Sequence, residues 1–328
     1  MSEIRLLTSS DEHLSDLAPG FRKDDYRASI LRKLEWQGDM ARRFKADAVL
    51  RGGDFIHVKA ANKTTMRTLA MAARIHRKYS CPTFAMAGNH DMSNNDPDSV
   101  SGQPLGVLIG SGVFNLLKDE TFTSGTMKVR VVGVEYTTDL DLEGLHDLVR
   151  KRDETYTVAF VHALAAMAPE EKIQAFFNEK VFDYRDLVFN GCPDVYVFGH
   201  YHKYQSIVDH HGVKFVNLGA VSRGALTFEN LDRVPKVSLI KLSSQGVSVE
   251  EHDIPCEDAL AVFDMDRKRT MESERRSLDE FITRLRLDAQ EGSDDSLEAR
   301  KMDLDMYPDL KALALEILET AAHGDLEL

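Results

Sequence analysis

Six of the twelve histidines in this 328-residue chain stand where an apolar run gives way to a loop: His13, His57, His90, His162, His200 and His202. Acidic and amide side chains accompany them in four short clusters. These read Asp11-Glu-His13, Gly53-Asp54-Phe-Ile-His57, Gly88-Asn89-His90-Asp91 and Gly199-His200-Tyr-His202. In α/β sheets the carboxyl ends of the strands are where ligands bind, because the loops there converge on one crevice. A chain with metal-type ligands at four such ends must bring several strands to a common edge.

The apolar pattern is compatible with that demand. Residues 4–8, 48–50 and 83–87 read as strands, and 26–44 and 63–79 as helices with one apolar stripe each. Alternation of this kind predicts an α/β layer architecture. The middle of the chain is richer in strands, at 128–134, 155–161, 195–198, 205–209, 213–218, 236–242 and 247–254. After Pro255 the pattern changes to long charged helices, 267–287 and 310–322, joined by a polar linker at 290–295. Two domains are therefore expected, 1–255 and a C-terminal helical extension, 256–328.

The spacing has a chemical reading. Residues i and i+2 at a strand end point to one side, so Asp11 with His13, and His200 with His202, can each face one pocket. Mixed carboxylate, amide and imidazole donors suit Mn, Fe or Zn better than Ca or Mg. Seven such ligands are too many for one ion. They suit two ions about 3.5–4 Å apart that share one carboxylate. Glycines before Asp54, Asn89 and His200 permit sharp turns. Each cluster alone also suits a surface turn, and a lone His162 in an apolar run also suits a core position; their joint order is what points to a metal centre. Motifs of the types GxxxxGK[ST], GxGxxG, HExxH and GxSxG do not occur.

Charge narrows the partners. The chain has 41 basic and 54 acidic residues, a net charge of −13. Residues 256–328 contribute 20 acidic and 10 basic groups, which leaves the first 255 nearly neutral. No strongly basic face announces nucleic acid, yet bound divalent cations reduce the need for lysines beside a phosphate. The longest apolar stretch, 158–168, is shorter than the roughly 18 residues that span a bilayer, and the N-terminus lacks the pattern of a signal peptide. No membrane association is expected. Cys81, Cys192 and Cys256 form no CxxC pair and suit a reducing compartment, so a cytoplasmic protein is expected.

The order D-x-H, GD, GNHD, H, GHxH resembles the calcineurin-like metallophosphoesterase superfamily over roughly residues 4 to 220. Within it, three segments are similar to the SbcD-type repair nucleases of the meiotic recombination 11 family. They are Gly53-Asp-Phe-Ile-His57, the run from Pro82 to Asp91, and Gly199-His-Tyr-His-Lys203 followed by Val216-Asn-Leu-Gly219. The resemblance implies a β-sandwich flanked by helices and two divalent ions, expected to be Mn2+. It places one ion on Asp11, His13, Asp54 and His202 and the other on Asp54, Asn89, His162 and His200. It further implies in-line attack of water on phosphorus, with His90 protonating or stabilising the leaving oxygen, Asp91 orienting His90, and His57 contacting the phosphate.

The implied function is Mn-dependent cleavage of DNA phosphodiester bonds, exo- or endonucleolytic, in repair or end-processing. An SMC-like ATPase partner of SbcC type is implied for the C-terminal helices, and residues 105–114 either form a homodimer helix or pack locally. The sequence departs from that group in two places. Asn217-Leu-Gly-Ala-Val-Ser222 stands where the group has PGS, and the acidic helices replace a compact DNA-capping domain. A phosphodiesterase or phosphatase for small molecules or nucleotides is the alternative, followed by a non-catalytic metal-stabilised scaffold.

Overall fold

The computed structural model describes residues 2–57, 64–170, 178–273 and 275–277. One compact unit spans Met1–Phe263 and a second Asp264–Leu328. The chain lays down β1 (Glu3–Ser9), α1 (Tyr26–Phe44), β2 (Ala48–Arg51), α2 (Met66–His76), β3 (Thr83–Ala85), α3 (Pro104–Gly110), β4 (Asn115–Leu116) and β5 (Asp119–Ser124). There follow β6 (Met127–Val134), α4 (Leu142–Val149), β7 (Tyr156–His162), β8 (Ala165–Ala166), β9 (Phe182–Asp183), β10 (Val195–Gly199), β11 (Ser206–His210) and β12 (Val213–Asn217). The unit closes with α5 (Phe228–Asp232), β13 (Lys236–Ser243), β14 (Gly246–Asp253) and α6 (Ala259–Val262).

Among the described residues the strands form two six-stranded sheets, ordered β14-β13-β1-β2-β3-β4 and β11-β12-β10-β7-β6-β5, and a small parallel pair, β8-β9. Strands β1, β2 and β3 are mutually parallel, as are β6, β7, β10 and β12. The two sheets face each other over a core that includes Leu6, Leu50, Val131, Phe160, Val197 and Ile240. Helices α1, α2 and α3 cover the outer face of the first sheet through Ile30, Leu34, Leu69, Ala72 and Leu105. The second sheet is covered on its outer face by α4 through Leu145 and Val149. This is the expected α/β sandwich flanked by helices.

Strands covered on both faces read as unbroken apolar runs, which is why β7 is buried along almost its whole length and delivers His162 at its carboxyl end. Helix α1 starts where the Asp25 side chain accepts a hydrogen bond from Ala28 N at 3.0 Å, and ends at Lys45 in the left-handed region with Arg42 and Arg43 in the last turn. Strand β5 and helix α4 were not expected. Strand β5 is a polar edge strand whose residues alternate between exposed and half-buried, so it carries little apolar signal. The body also extends past 255: Lys23 N donates to Val262 O, and Arg22 bridges to Phe263.

Helix α3 buries Leu105 and Leu108 in the same cluster as α1 and α2 and leaves Val107 exposed. Residues 265–273 are helical, while most of the expected helix 267–287 and all of 310–322 lie outside the described residues. No helix among the described residues is long and apolar enough to cross a membrane.

A charged network under α1 ties the first two strand ends together. Arg51, the last residue of β2, is fully buried and donates through Nη1 to Glu12 at 2.5 Å, Ser9 at 3.0 Å and Gln37 at 3.0 Å. Its Nη2 lies 2.8 Å from His76 Nε2. Removing one partner of a buried ion pair costs about 3–5 kcal/mol, whereas replacing both by apolar groups is often close to neutral. Arg51→Met is therefore expected to lower unfolding stability by about that amount, and Glu12→Leu combined with Arg51→Met to recover most of it. Denaturant titration of the wild type and these two variants checks this; a double variant no more stable than Arg51→Met would contradict the pairing.

Candidate metal centre

The carboxyl ends of β1, β2 and β3 in one sheet, and of β7 and β10 in the other, open at a common edge of the sandwich. Asp11 and His13 follow β1, Asp54 follows β2, Asn89 follows β3, His162 ends β7, and His200 and His202 follow β10. The structure brings all seven expected ligands together. Donor atoms of Asp11, His13, Asp54 and His202 lie within 4.8 Å of one another, as do those of Asp54, His162 and His200. Asp54 belongs to both groups. Asn89 joins the second, its Oδ1 lying 3.1 Å from His200 Nδ1.

Local backbone geometry differs from strand alternation. Asp11, His13, Asp54 and His200 all have positive φ, at 58°, 47°, 52° and 80°. Left-handed conformations are uncommon for such residues and cluster at functional sites. The ligands themselves thus make the turns. Gly88 and Gly199 serve another purpose: a Cβ on Gly88 would lie 2.2 Å from Asp54 Oδ1, and one on Gly199 would lie 2.3 Å from Ser10 Oγ and 2.7 Å from His162 Nδ1. Those positions are glycine because the ligand side chains pass directly over them.

Hydrogen bonds aim each donor. His162 Nδ1 lies 2.7 Å from Gly52 O, an acceptor, so it carries the proton and turns Nε2 toward Asp54 Oδ2 at 3.4 Å. Asp54 Oδ1 accepts from His90 N at 2.8 Å, and Asp11 accepts from Ser10 Oγ at 2.5 Å and from His200 N at 3.1 Å. Among the described residues, Asp54 Oδ2 and His162 Nε2 are buried without a hydrogen-bond partner. Buried polar atoms are normally satisfied, and two good donor atoms aimed at one point are what a cation requires. The residue set fits two divalent ions: one on Asp11, His13, Asp54 and His202, the other on Asp54, Asn89, His162 and His200.

The electrostatics match. Burial would raise Asp54, but the charges of His162 and His13 hold it well below the usual carboxylate range. Burial would likewise raise Asp11, yet the hydrogen bond and charge of His202 bring it to about 2. Burial disfavours a charged His162, and Asp54 overcomes this to raise the imidazole to about 9. His13 is pushed well below its ordinary value by burial and by His202.

The neighbouring residues take different places. His90 Nδ1 lies 2.6 Å from the His57 carbonyl, and the two imidazoles stack with centroids 5.6 Å apart. His13 lies within 5.2 Å of both rings. Asp91 was expected to orient His90; that contact is made by the His57 carbonyl instead. The buried Asp91 carboxylate accepts from the N–H groups of Phe55, Ile56 and Gly88 at 2.9–3.2 Å, bracing the loops that carry Asp54 and Asn89. Burial and the Asp54 charge raise Asp91 to about 8.

Sequence reading missed two further groups. Glu179 Oε2 lies 2.9 Å from His200 Nε2, and Tyr136, buried, stands 5.2 Å from the His200 ring. Neither follows an apolar strand in a recognisable motif, so pattern gave no signal. The 220–223 loop, where the expected PGS is absent, also has a role. Its N–H groups at Ala220, Val221 and Ser222 donate to the carbonyls of His202, Ser10 and Asp11, each at 3.2 Å. From behind, Arg233, Lys33 and Arg22 donate to the carbonyls of Ala220, Val221 and Arg223.

A sandwich with two carboxylate–imidazole ligand groups that share one aspartate defines a dinuclear metallohydrolase. The chain belongs to the calcineurin-like phosphoesterase family, whose pattern matches residues 4–204, and it is accordingly a metal-dependent phosphoester hydrolase. No match is found among curated proteins. Similar solved structures include TT1561 of Thermus thermophilus, at 15% identity, covering 77% of this chain and 99% of that one, TM-score 0.46. A dimetal phosphatase from Danio rerio is similar at 11% identity, covering 78% and 100%, TM-score 0.45. The calcineurin-like phosphoesterase YfkN from Bacillus subtilis is similar at 10% identity, covering 86% and 99%, TM-score 0.47.

Metal ligation requires neutral imidazoles, so binding competes with protons. His162, with a pKa near 9 in the ion-free protein, holds a proton at pH 7 that an ion must displace. Mn2+ binding at pH 7 is expected to release about one proton from this group and to strengthen about tenfold per pH unit between 7 and 9. Calorimetry in buffers of different ionisation enthalpy measures the release; affinity flat across that window would contradict the assignment of His162.

Proposed function

We propose that this protein is a Mn2+-dependent phosphodiesterase that cleaves DNA, exo- or endonucleolytically, in repair or end-processing. The observation that carries the hydrolytic part is the sharing of Asp54 between two ligand groups, with His90 and His57 stacked beside them. Two bound divalent ions would supply an activated water and neutralise the phosphate charge.

The chain's own residues do the rest. The backbone carbonyl of His57 accepts the Nδ1 proton of His90, so Nε2 is the atom that exchanges a proton with the leaving oxygen. Asp91 holds the two loops on either side of the reacting centre at a fixed separation. The Asp54 and His162 side chains are buried, whereas the His202 side chain is 48% exposed, so a phosphodiester can approach from the His202 side.

Support for DNA comes from the Gly53-Asp-Phe-Ile-His57 segment, which resembles SbcD-type nucleases and puts His57 against His90. An SMC-like ATPase partner and self-association belong to the same proposal and rest on that resemblance. The net charge of −13, with no excess of basic residues in the first 255, favours a second reading: a small-molecule or nucleotide phosphodiester as substrate.

End-labelled duplex and single-stranded DNA, and bis-p-nitrophenyl phosphate, separate the two readings. In Mn2+ the wild type is expected to cleave DNA, His90→Ala to cleave it about 10²–10⁴-fold more slowly, and Asp54→Ala to lose all hydrolysis. Hydrolysis of the small diester without any DNA cleavage would overturn the nuclease reading and leave the second.

A further inference from the structure

The two ligand groups are not equal in charge. The first has two carboxylates, Asp11 and Asp54, with two imidazoles. The second has only the shared Asp54 and otherwise neutral donors, Asn89, His162 and His200. A divalent ion there lacks a negative charge that its neighbour has.

His200 shows where the balance comes from. Its two ring nitrogens face opposite ways: Nδ1 is 3.1 Å from Asn89 Oδ1, on the ligand side, and Nε2 is 2.9 Å from Glu179 Oε2. A carboxylate only accepts, so Nε2 carries the hydrogen; Asn89 Oδ1 also only accepts, so with an ion bound between them the Nδ1 lone pair and Asn89 Oδ1 would both turn to that ion. Tyr136 packs beside the same ring, with centroids 5.2 Å apart, and is fastened to the loop after β3 by its N–H to Ala87 O at 3.3 Å. His162 has a neutral carbonyl as its outer partner, Gly52 O; His200 alone of the second group has an anionic one.

We propose that Glu179 is a positioning residue for the second ion: it fixes the His200 tautomer and orientation and lends negative charge to the group through the imidazole. The role rests on the two-ion reading of the site. Carboxylate partners of this kind orient metal-bound histidines and raise their basicity, and losing one typically costs about 10–100-fold in metal affinity.

The test is Mn2+ titration of the full chain by calorimetry, with electron paramagnetic resonance to detect magnetic coupling between two bound ions. Wild-type protein is expected to take up two Mn2+ and show the coupled signal. Glu179→Ala is expected to keep one ion at wild-type affinity, bind the other about 10–100-fold more weakly, and lose the coupled signal at substoichiometric metal. Glu179→Gln keeps an acceptor oxygen without the charge and is expected to fall between the two. Two ions bound by Glu179→Ala as by wild type, both ions weakened equally, or Glu179→Gln no better than Glu179→Ala would each overturn the role. Wild-type protein that binds no Mn2+ would instead overturn the two-ion reading on which the role depends.

Discussion

Glu12 lies between two ligands in the chain, and Arg51 lies three residues before a third. Their fully buried contact is therefore a short brace between the loops that present Asp11 and His13 on one side and Asp54 on the other. Charges placed in a protein interior are costly unless paired and hydrogen-bonded, and Ser9, Gln37 and His76 complete the guanidinium's surroundings. Breaking the pair would strand a charge directly beneath the ligands. The site needs this because three of those ligands adopt left-handed backbone conformations, which persist only where the surroundings over-determine them.

The same logic extends around the centre. Asp91 collects three backbone N–H groups from the loops after β2 and β3. The 220–223 loop gives its own N–H groups to the Ser10, Asp11 and His202 carbonyls and has its carbonyls capped by Lys33, Arg22 and Arg233. Each ligand loop is thus tied by bonds to backbone or to buried charge, independently of any ion. Such support places donors accurately before a cation arrives, which is what a precise metal site requires.

Much of this was legible in the sequence. Apolar runs ending in Asp-x-His, Gly-Asp, Gly-Asn-His-Asp and Gly-His-x-His locate the strand ends, and parallel strands place those ends on one edge. His162 could be read from its position at the end of an apolar strand. What the sequence did not disclose is how the side chains meet. Strand alternation suggested that Asp11 and His13 share a face, but both lie beyond β1 and reach the site through positive-φ turns. Gly88 and Gly199 looked like turn residues and are instead close-approach positions. Glu179 and Tyr136 sit outside every motif, since a hydrogen bond between segments distant in the chain has no periodicity to betray it. Strand β5 is polar because it lies at an edge, so hydrophobic pattern could not find it.

The central claim is that Asp54 is shared by two ions held by residues from five strand ends. The most direct measurement is an anomalous difference map from crystals of the full chain grown with Mn2+. Two peaks are expected, one bounded by Asp11, His13 and His202 and one by Asn89, His162 and His200, with Asp54 between them. A single peak, or metal bound away from Asp54, would contradict the account.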